Sequence, residues 1–93
     1  MHKTISFTGE IFKENGMFVV YCPELDLSSC GLDLAEAKKN LLEATRLFME
    51  ESLKLGTLKD ILEEAGYDTR QAELKSPLVE TDKLQLKLDV GVN

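Results

Sequence analysis

The sequence predicts a small α/β domain of the mixed α+β class, in which an antiparallel-rich sheet is covered by one long helix and one short helix. Three observations lead to this prediction. Asn15-Gly16, a dipeptide favoured in tight β-hairpins, separates two strand-like runs. A wide apolar stripe at helical spacing occupies residues 34–55, and a regular apolar–polar alternation occupies residues 84–90. The predicted order of elements is β-β-β-α-α-β.

The predicted hairpin joins two strands of different character. Residues 4–12 alternate between apolar and polar side chains, and Gly9 interrupts the apolar face, which indicates a bulge or the close approach of another backbone. Residues 17–22 are apolar on both faces. This pattern is typical of a central strand, or of one covered by a helix on one face and by a partner on the other. Pro23 cannot donate to a sheet ladder, so we expect the run to stop there or to continue only as an edge strand.

The long helix is predicted to begin after Asp33 and to end near Leu55. Asp33 can accept from the first amides of the helix, Glu36 can reach back as in a capping box, and Gly56 supplies the stop. Three further side chains widen the apolar stripe to nearly half of the circumference: Leu42, Met49 and Leu53. A stripe this broad exceeds what contact with one sheet requires, so we expect this flank to make a second contact.

Two more elements are predicted after the long helix. Residues 58–65 carry a short apolar stripe that is typical of a second helix, and the polar residues 67–77 are predicted to form a loop. At 84–90, apolar side chains alternate with polar ones, which indicates a half-buried strand. The apolar members of this strand are Leu84, Leu86, Leu88 and Val90.

Size and charge narrow the classes of function. The chain has 93 residues, 43% of them hydrophobic, so we expect a single domain over residues 1–93 and no separate DNA-binding domain. The net charge of -6 argues against direct binding of nucleic acid, which requires clustered Lys and Arg, and favours a basic partner or simple solubility. No apolar stretch approaches a bilayer span and no signal peptide is recognised, so we expect no membrane association and a cytoplasmic location.

The sequence predicts no catalytic, metal-binding or cofactor-binding constellation. Cys22 and Cys30 match no metal-ligand spacing and are expected to be small buried hydrophobes in a reducing compartment. Ser28 and Ser29 lack a nucleophile elbow and a nearby base. Glu10 is the acidic residue well inside the first strand, whereas two-metal nuclease chemistry needs several converging carboxylates. We therefore expect no enzyme activity.

The segment that leads from the second strand into the long helix resembles the HicB-like antitoxin family. The resemblance rests on a Cys-Pro-Glu-Leu motif at 22–25, a Ser-x-Gly step at 29–31 and an Asp-x-x-Glu-Ala helix start at 33–37. Many members have Pro-Gly after the first motif, whereas this chain has Asp26-Leu27 and is similar to the variant that lacks Pro-Gly. The resemblance implies a HicB-like fold, which is a truncated form of the ribonuclease H sheet.

The same resemblance implies a function in binding. It implies a non-catalytic antitoxin that binds and inhibits a small, basic HicA-type ribonuclease, and an acidic inhibitor suits a surface that normally holds RNA. The alternative is an orphan HicB-like module, an oligomer with a structural or regulatory role and no toxin partner.

Self-association is expected in either case. Wide apolar surfaces and unpaired edge strands favour a homodimer or a dimer of dimers, with the strand at 84–90 either exchanged or folded back onto its own sheet. The candidate interface consists of Leu42, Met49, Leu53, Leu84, Leu86, Leu88 and Val90.

Overall fold

The computed structural model describes residues 3–91, which form a mixed α+β fold. In chain order the elements are β1 (Thr4–Ile5), β2 (Glu10–Glu14), β3 (Met17–Cys22), β4 (Leu27–Gly31), α1 (Leu34–Leu55), α2 (Leu58–Glu64) and β5 (Glu73–Leu74). The predicted α+β class is confirmed, and the predicted order of strands, then two helices, then a strand fits this arrangement.

The three central strands form an antiparallel sheet in the order β2-β3-β4. Asn15 and Gly16 make the turn between β2 and β3 with φ angles of 50° and 77°, the left-handed conformation that favours these two residues. In this register Val20 lies opposite Ile11 on one side and Ser29 on the other. The bounds of β3 are those predicted from the apolar run.

The predicted first strand is interrupted. Its two ends form β1 and β2, whereas residues 6–9 belong to neither strand. A Cβ atom on Gly9 would lie 3.0 Å from Cγ1 of Val20, so a side chain, and not the predicted second backbone, approaches this glycine closely. β1 leaves the three-stranded sheet and pairs in parallel with β5, Thr4 opposite Glu73.

Capping defines α1 at both ends. The carboxylate of Asp33 accepts from the backbone N–H of Glu36 at 2.8 Å, and Gly56 ends the helix in the left-handed conformation with a φ of 75°. Glu36 reaches back, but its carboxylate accepts from the N–H of Leu32 at 3.2 Å and not from that of the capping residue. The predicted helix over 34–55 is confirmed in its bounds.

The core has two parts. In the first, α1 packs against β3 and β4, and it buries Val20, Cys22, Ala37 and Leu41. In the second, α2 and the segment after it bury Leu62, Tyr67 and Leu74, against which Ile5 and Met49 pack. Most of the predicted α1 stripe therefore faces the core, whereas Leu55 at its end is exposed.

Two predictions for the C-terminal part are wrong. The segment 67–77, predicted as a loop, contains β5, because Leu74 fills the second core and the N–H of Ser6 donates to its carbonyl at 2.9 Å. Residues 84–90, predicted as a half-buried strand, form no strand and are exposed. β5 already pairs with β1, and no described element covers the apolar side chains at 84–90.

Candidate protein-binding surfaces

One flank of α1 remains open to solvent, although it is apolar. Leu42 and Leu53 are 57% and 68% exposed, and Met49 between them is partly buried against the second core. The helix rests on β3 and β4, so the stripe that faces these strands is covered while the flank beside it is not. This is the flank that the sequence predicted to make a second contact.

The open flank forms one wall of a groove. Two adjoining hollows share the side chains of Lys3, Ile5, Met49, Leu53 and Leu58, so they form a single depression between α1, β1 and α2. The remaining apolar lining comes from Phe7, Leu42, Leu62 and Leu74. We call this depression the α1 groove. Its lining is largely aliphatic, which suits an apolar occupant.

The charged residues around the α1 groove are mostly basic. Lys3, Arg46 and Lys59 line it together with Glu50, and Glu63 lies 3.9 Å from the ammonium of Lys59. In a chain whose net charge is -6, this is a local excess of positive charge. A basic partner is therefore disfavoured here, and an occupant with a neutral or acidic polar face is favoured.

Apolar and polar side chains alternate at 84–90, but these residues pair with no strand in the described part of the chain. Leu84, Leu86, Leu88 and Val90 are 89%, 85%, 70% and 56% exposed. Four aliphatic side chains at every second position place one apolar face on an extended backbone, the pattern of a strand that has not yet paired. We call residues 84–90 the C-terminal segment. None of its residues lines the α1 groove, so one chain does not bring the two halves of the predicted interface together.

The sheet has a second uncovered surface, on the side opposite α1. Val20 and Cys22 point into the core, so the alternate residues of β3 lie on the other face, and the register adds Glu10, Phe12 and Glu14 of β2. We define the outer face by Glu10, Phe12, Glu14, Met17, Val19 and Tyr21. Phe12 is 49% exposed, so about half of this side chain is accessible to a partner.

Carboxylates border the outer face. Glu10 and Glu14 flank Phe12 along β2, and the hydroxyl of Tyr21 donates to Asp26 at 2.9 Å, which holds a third carboxylate at the end of β3. Lys13 lies on the helix side instead, with its ammonium 5.6 Å from the centre of the Phe18 ring. The outer face therefore combines apolar and negative groups, the reverse of the charge at the α1 groove.

Glu24, in the turn between β3 and β4, organises the region from which the C-terminal segment departs. Its carboxylate accepts from the backbone N–H of Thr8 at 2.9 Å and from the Thr8 hydroxyl at 2.8 Å. It also accepts from the thiol of Cys22 at 3.6 Å and from the hydroxyl of Ser76. No local pattern in the sequence predicts this role of Glu24, because Thr8 and Ser76 are distant from it in sequence.

Ser6 extends this network to the second core. The hydroxyl of Tyr67 donates to the Ser6 carbonyl at 2.7 Å, and the N–H of Ser76 donates to the Ser6 hydroxyl at 3.0 Å. The interrupted strand, the segment after β5 and the β3–β4 turn are thus connected through Ser6 and Glu24. The chain leaves this network at Ser76 and passes residues 8–12 at 81–83 before the C-terminal segment begins.

The network changes the pKa values of its titratable groups. Burial tends to raise the pKa of Glu24, but the hydrogen bonds from Ser76 and Thr8 outweigh it, so the net pKa lies below the usual range. Burial raises the pKa of Tyr67 to about 12, and the nearby Glu24 adds to this effect. Burial also raises the pKa of the Cys22 thiol, which keeps this cysteine protonated and unreactive. The other cysteine, Cys30, is exposed, so its predicted burial is wrong.

Two features of the described residues bear on metal ions and on membranes. Across residues 3–91, no group of three or more His, Cys, Asp and Glu side chains is placed to hold a metal ion. Neither α1 nor α2 combines the length and the apolar character that a bilayer span needs.

Comparison with known protein families, with curated protein sequences and with solved structures found no match to this chain.

Proposed function

We propose that this chain is a non-catalytic antitoxin of the HicB-like type, which binds and inhibits a small, basic HicA-type ribonuclease. The observation that carries the proposal is the outer face, where a half-exposed aromatic ring lies among carboxylates on a three-stranded antiparallel sheet. Aromatic anchors bordered by charge are typical of protein-binding surfaces. A surface that binds RNA is basic, so an acidic, apolar face is complementary to it.

Three of the residues that carry the resemblance to HicB-like proteins, Glu24, Gly31 and Asp33, have structural roles here. Glu24 of the Cys-Pro-Glu-Leu motif holds the network around Thr8, and Asp33 caps α1. A Cβ atom on Gly31 would lie 2.5 Å from the backbone nitrogen of Ala37, so the Ser-x-Gly step lets β4 meet the first turn of the helix. These roles support a shared fold, and they leave the toxin contact to residues outside the motifs.

Inhibition of a purified toxin tests the proposal. The probe is a HicA-type ribonuclease encoded beside the gene for this chain, and we expect loss of its RNA cleavage at a stoichiometric ratio. The chain alone, with Mg²⁺ or Mn²⁺, is expected to leave RNA intact. Because the proposed attraction is electrostatic, binding should weaken between about 0.1 M and about 1 M salt, as the Debye length falls from about 10 Å to about 3 Å.

Two pairs of variants locate the toxin contact. Glu14→Lys on the outer face should weaken inhibition by at least about tenfold, whereas Glu43→Lys on the exposed side of α1 makes the same charge change and should have little effect. Phe12→Ala should also weaken inhibition, and Leu47→Ala on α1 is its control. Equal effects of Glu14→Lys and Glu43→Lys would contradict the assignment of the outer face. A lack of inhibition at any ratio would contradict the antitoxin function.

A second function is favoured by a different observation. The exposed apolar face of the C-terminal segment favours self-association, which is the property required by an orphan oligomeric module with a structural or regulatory role. Sedimentation equilibrium at micromolar concentration tests self-association directly. A mass of two or four times 10.4 kDa is expected, and a monomer of 10.4 kDa would contradict it.

A further inference from the structure

We propose that the α1 groove of one chain receives the C-terminal segment of a second copy, and that the exchange is reciprocal. The inference specifies the interface of the oligomer and does not depend on toxin binding. It unites two surfaces that the sequence offered separately: the flank of Leu42, Met49 and Leu53, and the alternating residues at 84–90.

The groove and the segment agree in length and in shape. From Leu84 to Val90 an extended chain covers about 20 Å. From Leu42 to Leu53 the helix covers about 16 Å, and Leu58 continues the wall beyond it. An extended strand places its four aliphatic side chains on one side, so it can fill a groove with this side and present its polar side to water.

Charge favours this chain over a basic partner as the occupant. Lys3, Arg46 and Lys59 outnumber Glu50 and the ion-pair partner of Lys59, Glu63, around the groove. The C-terminal segment carries one basic and one acidic side chain, Lys87 and Asp89, so its net charge is zero. A neutral strand is not repelled by a basic rim as a basic partner would be, although two whole chains of charge -6 repel weakly.

The course of the chain favours exchange over folding back. Ser76 is held in the Glu24 network, and residues 81–83 lie beside β2, on the strand side of the molecule. The C-terminal segment continues away from the body with all four aliphatic side chains exposed, and the described residues extend over 58 Å in one direction but 28 Å and 20 Å in the others. An arm of this kind reaches a neighbour, and a two-fold axis makes the exchange reciprocal and closed.

Disulfide trapping between differently labelled chains tests the exchange. In a Cys30→Ser background, which removes the exposed native thiol, one chain carries Leu53→Cys and the other carries Leu88→Cys. When the two are mixed and oxidised, we expect a cross-linked heterodimer of twice 10.4 kDa as the main product. In the control, the second chain carries Lys87→Cys in place of Leu88→Cys. This thiol lies on the opposite side of the strand, so the yield of cross-linked heterodimer should fall by at least about tenfold.

Three outcomes would overturn the inference. An intramolecular disulfide in a single chain that carries both Leu53→Cys and Leu88→Cys, formed at high dilution, would show that the segment folds back. A dominant cross-link between two Leu88→Cys chains would show that the segments pair with each other. A dimer by sedimentation that gives no cross-link between positions 53 and 88 would show that assembly uses another surface, and it would leave the antitoxin proposal untouched.

Discussion

The carboxylate of Glu24 connects three parts of the chain that lie far apart in sequence. It binds Thr8 in the interrupted first strand, Cys22 at the end of β3 and Ser76 after β5. A partly buried carboxylate is stable in the ionised form when several donors surround it, because the hydrogen bonds offset the loss of hydration. Glu24 therefore has a structural role, although an acidic residue within a sequence motif could be mistaken for a functional one.

Replacement of this carboxylate tests that role. Glu24→Gln keeps the size of the side chain but loses the charge-assisted hydrogen bonds, and it should lower the free energy of unfolding by about 1–3 kcal/mol at neutral pH. Urea denaturation measures the loss. Glu64→Gln, an exposed carboxylate on α2, is the matched control and should change stability by less than about 0.5 kcal/mol.

The lowered pKa of Glu24 also predicts how stability changes with pH. The pKa of Glu24 is lower in the folded chain than the ordinary value of 4.5, so the folded state favours the ionised form. Its contribution is present above pH 4.5 and is lost as the pH falls through the folded-state pKa. The difference in unfolding free energy between the native chain and Glu24→Gln should therefore become smaller as the pH falls below 4.5. A difference that stays constant down to pH 3 would contradict the role of the carboxylate.

At the scale of elements, local signals determine how much the sequence predicts. The hairpin turn, β3 and α1 follow from Asn15-Gly16, a continuous apolar run and a capped helical stripe. β3 and α1 have the predicted bounds, whereas the strand predicted over 4–12 is divided into β1 and β2. β5 has two residues, and its pairing with β1 is set by contacts over about seventy positions of sequence, which no local pattern encodes. Apolar and polar residues alternate in the C-terminal segment as in a strand. This alternation does not specify which surface, of the same chain or of another, covers the apolar side.

The two sides of α1 should respond differently to the same substitution. Leu41 is 3% exposed in the core, and Leu41→Ala should cost about 2–5 kcal/mol of unfolding free energy. Leu53 lies on the open flank, so Leu53→Ala should cost less than about 0.5 kcal/mol when it is measured at low protein concentration, where chains are separate. Thermal and urea unfolding of both variants compare them directly. A large loss for Leu53→Ala in the monomer would contradict the described orientation of the helix.

At the scale of the whole molecule, the two candidate surfaces differ in the charge of the residues that border them. The outer face is apolar with carboxylates at its border, and the α1 groove is apolar with mostly basic residues at its border. The two surfaces lie on different sides of the sheet, since α1 covers the side opposite the outer face. The proposed toxin contact and the proposed self-association interface therefore use different residues.

Self-association through the C-terminal segment predicts how thermal stability depends on protein concentration. A partner that binds the folded chain and not the unfolded one raises the melting temperature as concentration rises. The full chain should show this rise from about 1 μM to about 100 μM, because each added copy supplies a segment for the groove. A chain cut after Glu80 should melt at the same temperature throughout this range. Its melting temperature should match that of the full chain at the lowest concentration, because the exposed segment adds little to its own fold. A truncated chain whose melting temperature still rises with concentration would place the interface elsewhere.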